Sequence, residues 1–162
     1  MKLFVILLFS VFAIPCHPKT PSDSRLLGKV IRIEDGDTFD LLVVKSTYRI
    51  RLSDVDCPER KQDYYEKCKE ALADLCFSNM VTVINNGKDR YGRIIGKVYT
   101  AKGLCVNQEL VRNGYAWNFI KYSTDPELAR MEETATGLKL GLWSQPNPIA
   151  PWEYRKLKQK MR

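Results

Sequence analysis

The stretch from Gly28 to Ser53 limits the possible folds more than any other part of the chain. Gly28-Lys29-Val30-Ile31-Arg32-Ile33-Glu34 reads as a β-strand, and Asp35-Gly36-Asp37 ends it with a hairpin-type turn signal. Thr38 to Val44 reads as a second strand, and Lys45-Ser46 turns the chain into a third, Thr47 to Ser53. In the third strand Tyr48, Ile50 and Leu52 alternate with Arg49 and Arg51, giving one apolar and one charged face. A meander patterned this way has to cover its apolar face with other elements.

Those elements follow in order. Asp54 to Asp63 is a charged loop containing Pro58, and a helix is predicted from about Tyr64 to Phe77. Cys68, Ala71, Leu72, Leu75 and Cys76 fall at i, i+3, i+4, i+7 and i+8 on one face of that helix. Met80 to Ile84 and Gly92 to Tyr99 read as two more strands, separated by a polar turn from Asn85 to Tyr91. A short helix around Val106 to Asn113 stops at Gly114. A last helix begins after Asp125-Pro126, with Asp as N-cap, Pro at the first helical position, and Leu128, Met131, Ala135 and Leu138 on one side. This order predicts an α+β, mainly β fold: a five-stranded Greek-key barrel of the OB-fold type with three α-helices. A length of 162 residues leaves room for one such domain, placed at 25–145.

The ends read differently. Met1-Lys2 followed by the apolar run Leu3 to Ile14 predicts a signal peptide over 1–15, hence a secreted or periplasmic protein. The run falls short of the ~20 apolar residues that span a bilayer. A retained membrane anchor is the alternative, and Cys16 adds a lipoprotein alternative, although Ala13-Ile14-Pro15 is a poor approach to a lipidated cysteine. Residues 16–24 form a polar linker, and 146–162 a Pro-containing basic tail whose end, Tyr154 to Arg162, reads as solvated.

Charge and cysteine usage narrow the chemistry. Twenty-six Lys and Arg against nineteen Asp and Glu give +7, and the leader holds only Lys2 of that excess, so the basic character belongs to the domain and points to a polyanion. The single histidine, His17, lies near the N-terminus, which removes a His base and a His-rich metal cluster from consideration. The five cysteines contain no Cys-x-x-Cys pair, which argues against zinc. Cys68 and Cys76 cannot pair on one helix, where eight residues rise ~12 Å. They read as small buried apolar residues. Pairing of Cys57 with Cys68 or with Cys105 stays open.

Three segments concentrate reactive residue types: Asp35-Gly36-Asp37-Thr38 at a hairpin tip, Arg51 to Glu59 at the exit of the third strand, and Asp89-Arg90-Tyr91-Gly92-Arg93 in the last turn. A phosphodiesterase without His needs hard oxygen ligands for Ca²⁺ or Mg²⁺, a carboxylate to orient a water, and guanidinium groups to neutralise phosphoryl charge. Asp37 and Asp56 suit the first need, Glu59 the second, and Arg51 and Arg93 the third.

In this order the segments resemble the staphylococcal nuclease (thermonuclease) family over roughly Gly28 to Trp143. Val106-Asn107, Leu110 to Gly114 and Gly141-Leu142-Trp143 are further matches. The ending Pro146-Asn147-Pro148 with Pro151-Trp152-Glu153 is similar to that of exported bacterial members. The resemblance implies a Ca²⁺-dependent enzyme hydrolysing DNA and RNA to 3′-phosphate products, acting as a monomer without a stable protein partner. It implies Asp37 and Asp56 as calcium ligands joined by the backbone carbonyl of Cys57, and Glu59 as general base. Arg51 and Arg93 would stabilise the transition state, with Arg90 beside them and Tyr122 packing near the nucleotide. Two departures stand out: Cys57 replaces the usual Thr, and a flexible basic loop is reduced to Arg60-Lys61. The alternatives are a non-catalytic OB-fold nucleic-acid-binding module and a basic envelope protein held by its leader or tail.

Overall fold

The structure, a computed structural model, describes residues 25–123 and 125–161; the leader and linker expected over 1–24 lie outside these residues. Seven strands and four α-helices are present among them: β1 Arg25–Asp35, β2 Thr38–Val43, β3 Ser46–Leu52, β4 Val55–Asp56, α1 Tyr65–Cys76, β5 Met80–Lys88, β6 Ile94–Thr100, α2 Val106–Arg112, β7 Trp117–Asn118, α3 Pro126–Gly137 and α4 Pro151–Lys160. A 3₁₀ turn at Gly141–Ser144 precedes α4.

Five strands close into a barrel in the order β1-β2-β3-β6-β5. Only the β3–β6 pair is parallel, matching Arg51 with Ile95. Closure depends on β1, whose first half pairs with β5 (Gly28 opposite Val81) and whose second half pairs with β2 (Val30 opposite Leu41). Register shifts between Val30 and Arg32 and between Ile33 and Asp35 bend it from one neighbour to the other. Ahead of these shifts, a Cβ on Gly28 would lie 2.5 Å from the Leu42 carbonyl oxygen, so only glycine lets the strands approach. The alternation read in β3 holds, with Ile50 and Leu52 inside beside Phe39, Leu41, Val83 and Val98.

The helices seal the barrel. α1 buries Cys68, Leu72 and Cys76, α2 buries Val106, Leu110 and Val111, and α3 contributes Leu128. All four cysteines among the described residues, Cys57, Cys68, Cys76 and Cys105, are free and buried. No described helix is long and apolar enough to cross a membrane.

Three features depart from the sequence reading. Leu138, expected on the buried side of α3, follows the helix as its C-cap and is 66% exposed. The loop after β3 contains β4, which pairs with β7, Asp56 opposite Trp117. The end read as a solvated tail forms α4, making four helices rather than three. The helix has no apolar stripe, and even Leu157 is exposed. Ala150 and Pro151 start it, Pro at the first position giving up an N–H that would have no partner there.

Asp125 caps α3 by accepting the Glu127 N–H at 3.0 Å and also receives Lys97 Nζ at 2.8 Å. The Lys97 hydrogen bond, working against burial, holds the Asp125 carboxyl below its ordinary value. Such a group stabilises the fold above the ordinary aspartate pKa and loses its contribution as pH falls through the lowered one. Asp125→Ala should therefore cost about 1 kcal/mol at pH 7, and the gap should shrink in acid. Urea unfolding at pH 7 and at pH 3 checks both expectations.

Candidate active site

The site forms where three chain turns meet at one end of the barrel. The first is Asp35-Gly36-Asp37 between β1 and β2. A Cβ on Gly36 would collide with Cys68 Sγ, so this turn can lie directly on α1 only with glycine there. Tyr65 Oη donates to Asp35 Oδ1 at 2.8 Å from the same helix. These contacts turn Asp37 inward, where it is 7% exposed. Thr38 Oγ1 donates to Asp37 Oδ1 at 3.0 Å, and the Cys57 N–H donates to Oδ2 at 3.1 Å.

The second turn is the exit of β3. Arg51 projects from the charged face, opposite Thr38 across the β2–β3 pair. Asp54, with a left-handed φ of 65°, redirects the chain into β4, and its carbonyl accepts the Phe119 N–H at 2.8 Å. β4 then presents Asp56, only 1% exposed. A carboxylate so buried stays charged only with partners. Arg51 supplies one, its Nη2 donating to Asp56 Oδ1 at 2.8 Å while its Nη1 pairs with Asp37 Oδ2.

Asp56 also receives Arg155, from α4. Arg155 Nη2 donates to Asp56 Oδ2 at 2.8 Å, and its Nη1 donates to Asp56 Oδ1 at 3.3 Å and to Glu59 Oε1 at 2.5 Å. The result is an alternating chain of charge: Asp37, Arg51, Asp56, Arg155, Glu59. Burial alone would lower the Arg155 pKa, but its bonds to Asp56 and Glu59 raise it above the ordinary value, so the guanidinium stays charged. Glu59 is held at its backbone too: its N–H donates to Gln62 Oε1 at 2.9 Å, and the Gln62 N–H returns to its carbonyl at 2.8 Å.

Nothing in the sequence around Arg155 singles it out, because its segment reads only as basic. The usable signal lay three residues earlier. Trp152 shares a side of α4 with Arg155 and stacks on Phe119, centroids 5.2 Å apart and planes at 4°. It also meets Trp117 edge-on at 5.8 Å, and Trp117 meets Trp143 at 4.3 Å, so all three tryptophans of the chain anchor this helix to β7. Because β7 pairs with β4, the anchor sits directly behind Asp56.

The remaining expected residues do not join the chain of charge. In the third turn, Asp89 Oδ2 accepts Arg93 Nε at 2.7 Å, and its Oδ1 accepts the N–H groups of Arg93 at 3.0 Å and Tyr91 at 2.9 Å. Burial favours the protonated form, but these bonds prevail and hold the Asp89 carboxyl below its ordinary value. Arg93 directly precedes β6, two residues before the Ile95 that pairs with Arg51, and its guanidinium is engaged by Asp89. Arg90 sits over Tyr91, 4.8 Å from the ring centroid, and donates to its hydroxyl at 2.6 Å. Tyr122 is 65% exposed and packs edge-on against Phe119 at 4.8 Å. Cys57 turns its thiol inside, where burial and the neighbouring Cys68 thiol push its pKa well up, so that thiol is no anionic ligand.

Asp37 and Asp56 meet on one guanidinium, so their oxygens face a common point. Carboxylate oxygens so placed are the donor chemistry of a hard divalent cation. Among the described residues no third His, Cys, Asp or Glu joins them as a metal-holding group. Further ligands would be backbone carbonyls, water or phosphate.

One supporting residue had no role assigned from sequence. Asn107, fully buried in α2, donates from Nδ2 to the Ser53 carbonyl at 2.8 Å and accepts the Val98 N–H on Oδ1 at 2.9 Å. It fastens the exit of β3 to β6 two residues beyond Arg51. Asn107→Ala would leave both backbone groups buried without partners, costing about 2–6 kcal/mol at roughly 1–3 each. Thermal unfolding should show this as a drop of several degrees in Tm.

Residues 49–145 match the family described as "Staphylococcal nuclease homologue". The chain is 43% identical over 128 residues to an uncharacterised endonuclease of Escherichia coli, covering 79% of this chain and 84% of that one. It is 40% identical over 147 residues to Protein ParB of Escherichia coli, covering 85% and 83%. To the micrococcal nuclease of Shigella flexneri it is 38% identical over 146 residues, with 84% of each chain covered.

Proposed function

The chain belongs to the staphylococcal nuclease family, and from that premise we propose that it is a Ca²⁺-dependent phosphodiesterase that hydrolyses DNA and RNA to 3′-phosphate products. The observation that carries this reading is the convergence of Asp37, Arg51, Asp56 and Glu59 at one end of the barrel. Asp37 and Asp56, with the Cys57 carbonyl, would hold the ion. When bound, Ca²⁺ supplies positive charge beside the phosphoryl oxygens.

The residues of the chain do the rest. Glu59 orients a water and takes its proton as the water oxygen bonds to phosphorus, in line with the bond to the 5′ oxygen. That bond breaks, the 5′ oxygen takes a proton from solvent, and the phosphate stays on the 3′ side. Arg51 turns from its carboxylates to the phosphoryl oxygens, where a guanidinium binds two oxygens at once. Arg93, held by Asp89, stabilises charge on the leaving 5′ oxygen. Arg90 and Tyr122 contact the nucleotides on either side. The leader over 1–15 sends the protein out of the cytoplasm, and it acts as a monomer.

The test is cleavage of single-stranded DNA and RNA with Ca²⁺, Mg²⁺ or chelator. Cleavage should need Ca²⁺ and leave ends that a phosphatase must treat before ligation. Glu59→Gln should lower kcat by about 10²–10⁴, and Arg93→Ala by about 10²–10³. Binding of DNA without cleavage under any of these conditions would favour a non-catalytic binding module. Near full activity of Glu59→Gln would remove Glu59 from the role of base.

A further inference from the structure

We infer that Arg155, reaching in from the C-terminal helix, is a positioning residue that sets the orientation of the Glu59 carboxylate. The inference rests on the nuclease reading above and adds a part of the chain beyond the stretch that matches the family, which ends at residue 145.

Three observations carry it. First, among the described residues Arg155 is the side chain that hydrogen-bonds the Glu59 carboxylate, through Nη1 to Oε1 at 2.5 Å. Glu59 lies on a loop where its backbone is fixed by Gln62 but its side chain has several rotatable bonds. Without a donor on Oε1 the carboxylate would sample many directions. With one, Oε2 is left to meet a water from a fixed angle.

Second, Arg155 is itself immobilised from two sides. Its guanidinium spans both oxygens of the buried Asp56, and Trp152 on the same side of α4 is stacked on Phe119. A group held this way can transmit position to a third. Third, both terminal nitrogens of the planar fork are engaged: Nη1 bridges Asp56 and Glu59 while Nη2 holds Asp56. A lysine ammonium keeps the charge but cannot reproduce this spread of donors.

The test uses the full chain with a labelled single-stranded oligonucleotide and Ca²⁺. Arg155→Ala should lower kcat about 10- to 100-fold, the usual range for loss of an orienting partner, with KM changed by less than about threefold. Arg155→Lys should fail to restore kcat, and Lys158→Ala, an exposed lysine of the same helix, should match wild type. In the Glu59→Gln background, measured under single turnover, Arg155→Ala should cost almost nothing further, because its effect runs through Glu59. Tryptophan fluorescence checks that Trp152 stays stacked, and Arg155→Gln takes the place of the alanine variant if that one unfolds.

Any of four results would overturn the inference: a loss carried by KM, rescue by lysine, full additivity with Glu59→Gln, or a rise in turnover showing that Arg155 obstructs the site. A wild-type protein that fails to cleave sinks the nuclease reading instead, and does so before any variant is compared.

Discussion

Burial of Asp56 governs the architecture at this end of the barrel. A carboxylate with 1% of its surface exposed must be compensated by cations. Arg51 comes from β3, a few residues away, and Arg155 from the other end of the chain. Each guanidinium then has donors to spare, and these collect Asp37 and Glu59. One buried charge thus gathers four further charged groups, and the β4–β7 pair, the Phe119 N–H on the Asp54 carbonyl and the aromatic stack all act to keep it in place. Deleting either arginine would leave a buried negative charge short of a partner, which costs more than the ion pair gains.

The barrel was legible because its signals are local. Alternation in β3 and the Asp-Gly turn are set by neighbours a few residues apart, and the face of α1 by spacing within one helix. What stayed hidden depends on distant partners. β4 and β7 are two residues each and have no period to detect; they exist because they lie against each other. α4 lacks an apolar stripe and is held by one tryptophan and one arginine, so its composition resembles that of a free basic end.

The same division runs through the site. Asp37, Arg51, Asp56 and Glu59 could be singled out because their types and order suit phosphate chemistry and resemble a family pattern. Arg93 and Arg90 could be singled out too, and Asp89 four residues before Arg93 suits a turn closed by an ion pair, but nothing in the spacing shows Arg90 lying over the Tyr91 ring and donating to its hydroxyl. Asn107 belongs to the family resemblance, but its residue type there implies no role. Its function is to satisfy backbone groups of two strands, which no spacing in the sequence reveals.

The 99-residue separation between Asp56 and Arg155 has a consequence for the life of the chain. The barrel strands end at Thr100, so they can pair before the segment that carries Arg155 has been made. The chain of charge cannot be completed until α4, made after every barrel strand, has docked. A polypeptide that stops before α4 keeps every barrel strand but gives Asp56 a single counter-charge. The electrostatics of the site therefore depend on α4, a segment made well after the barrel it completes.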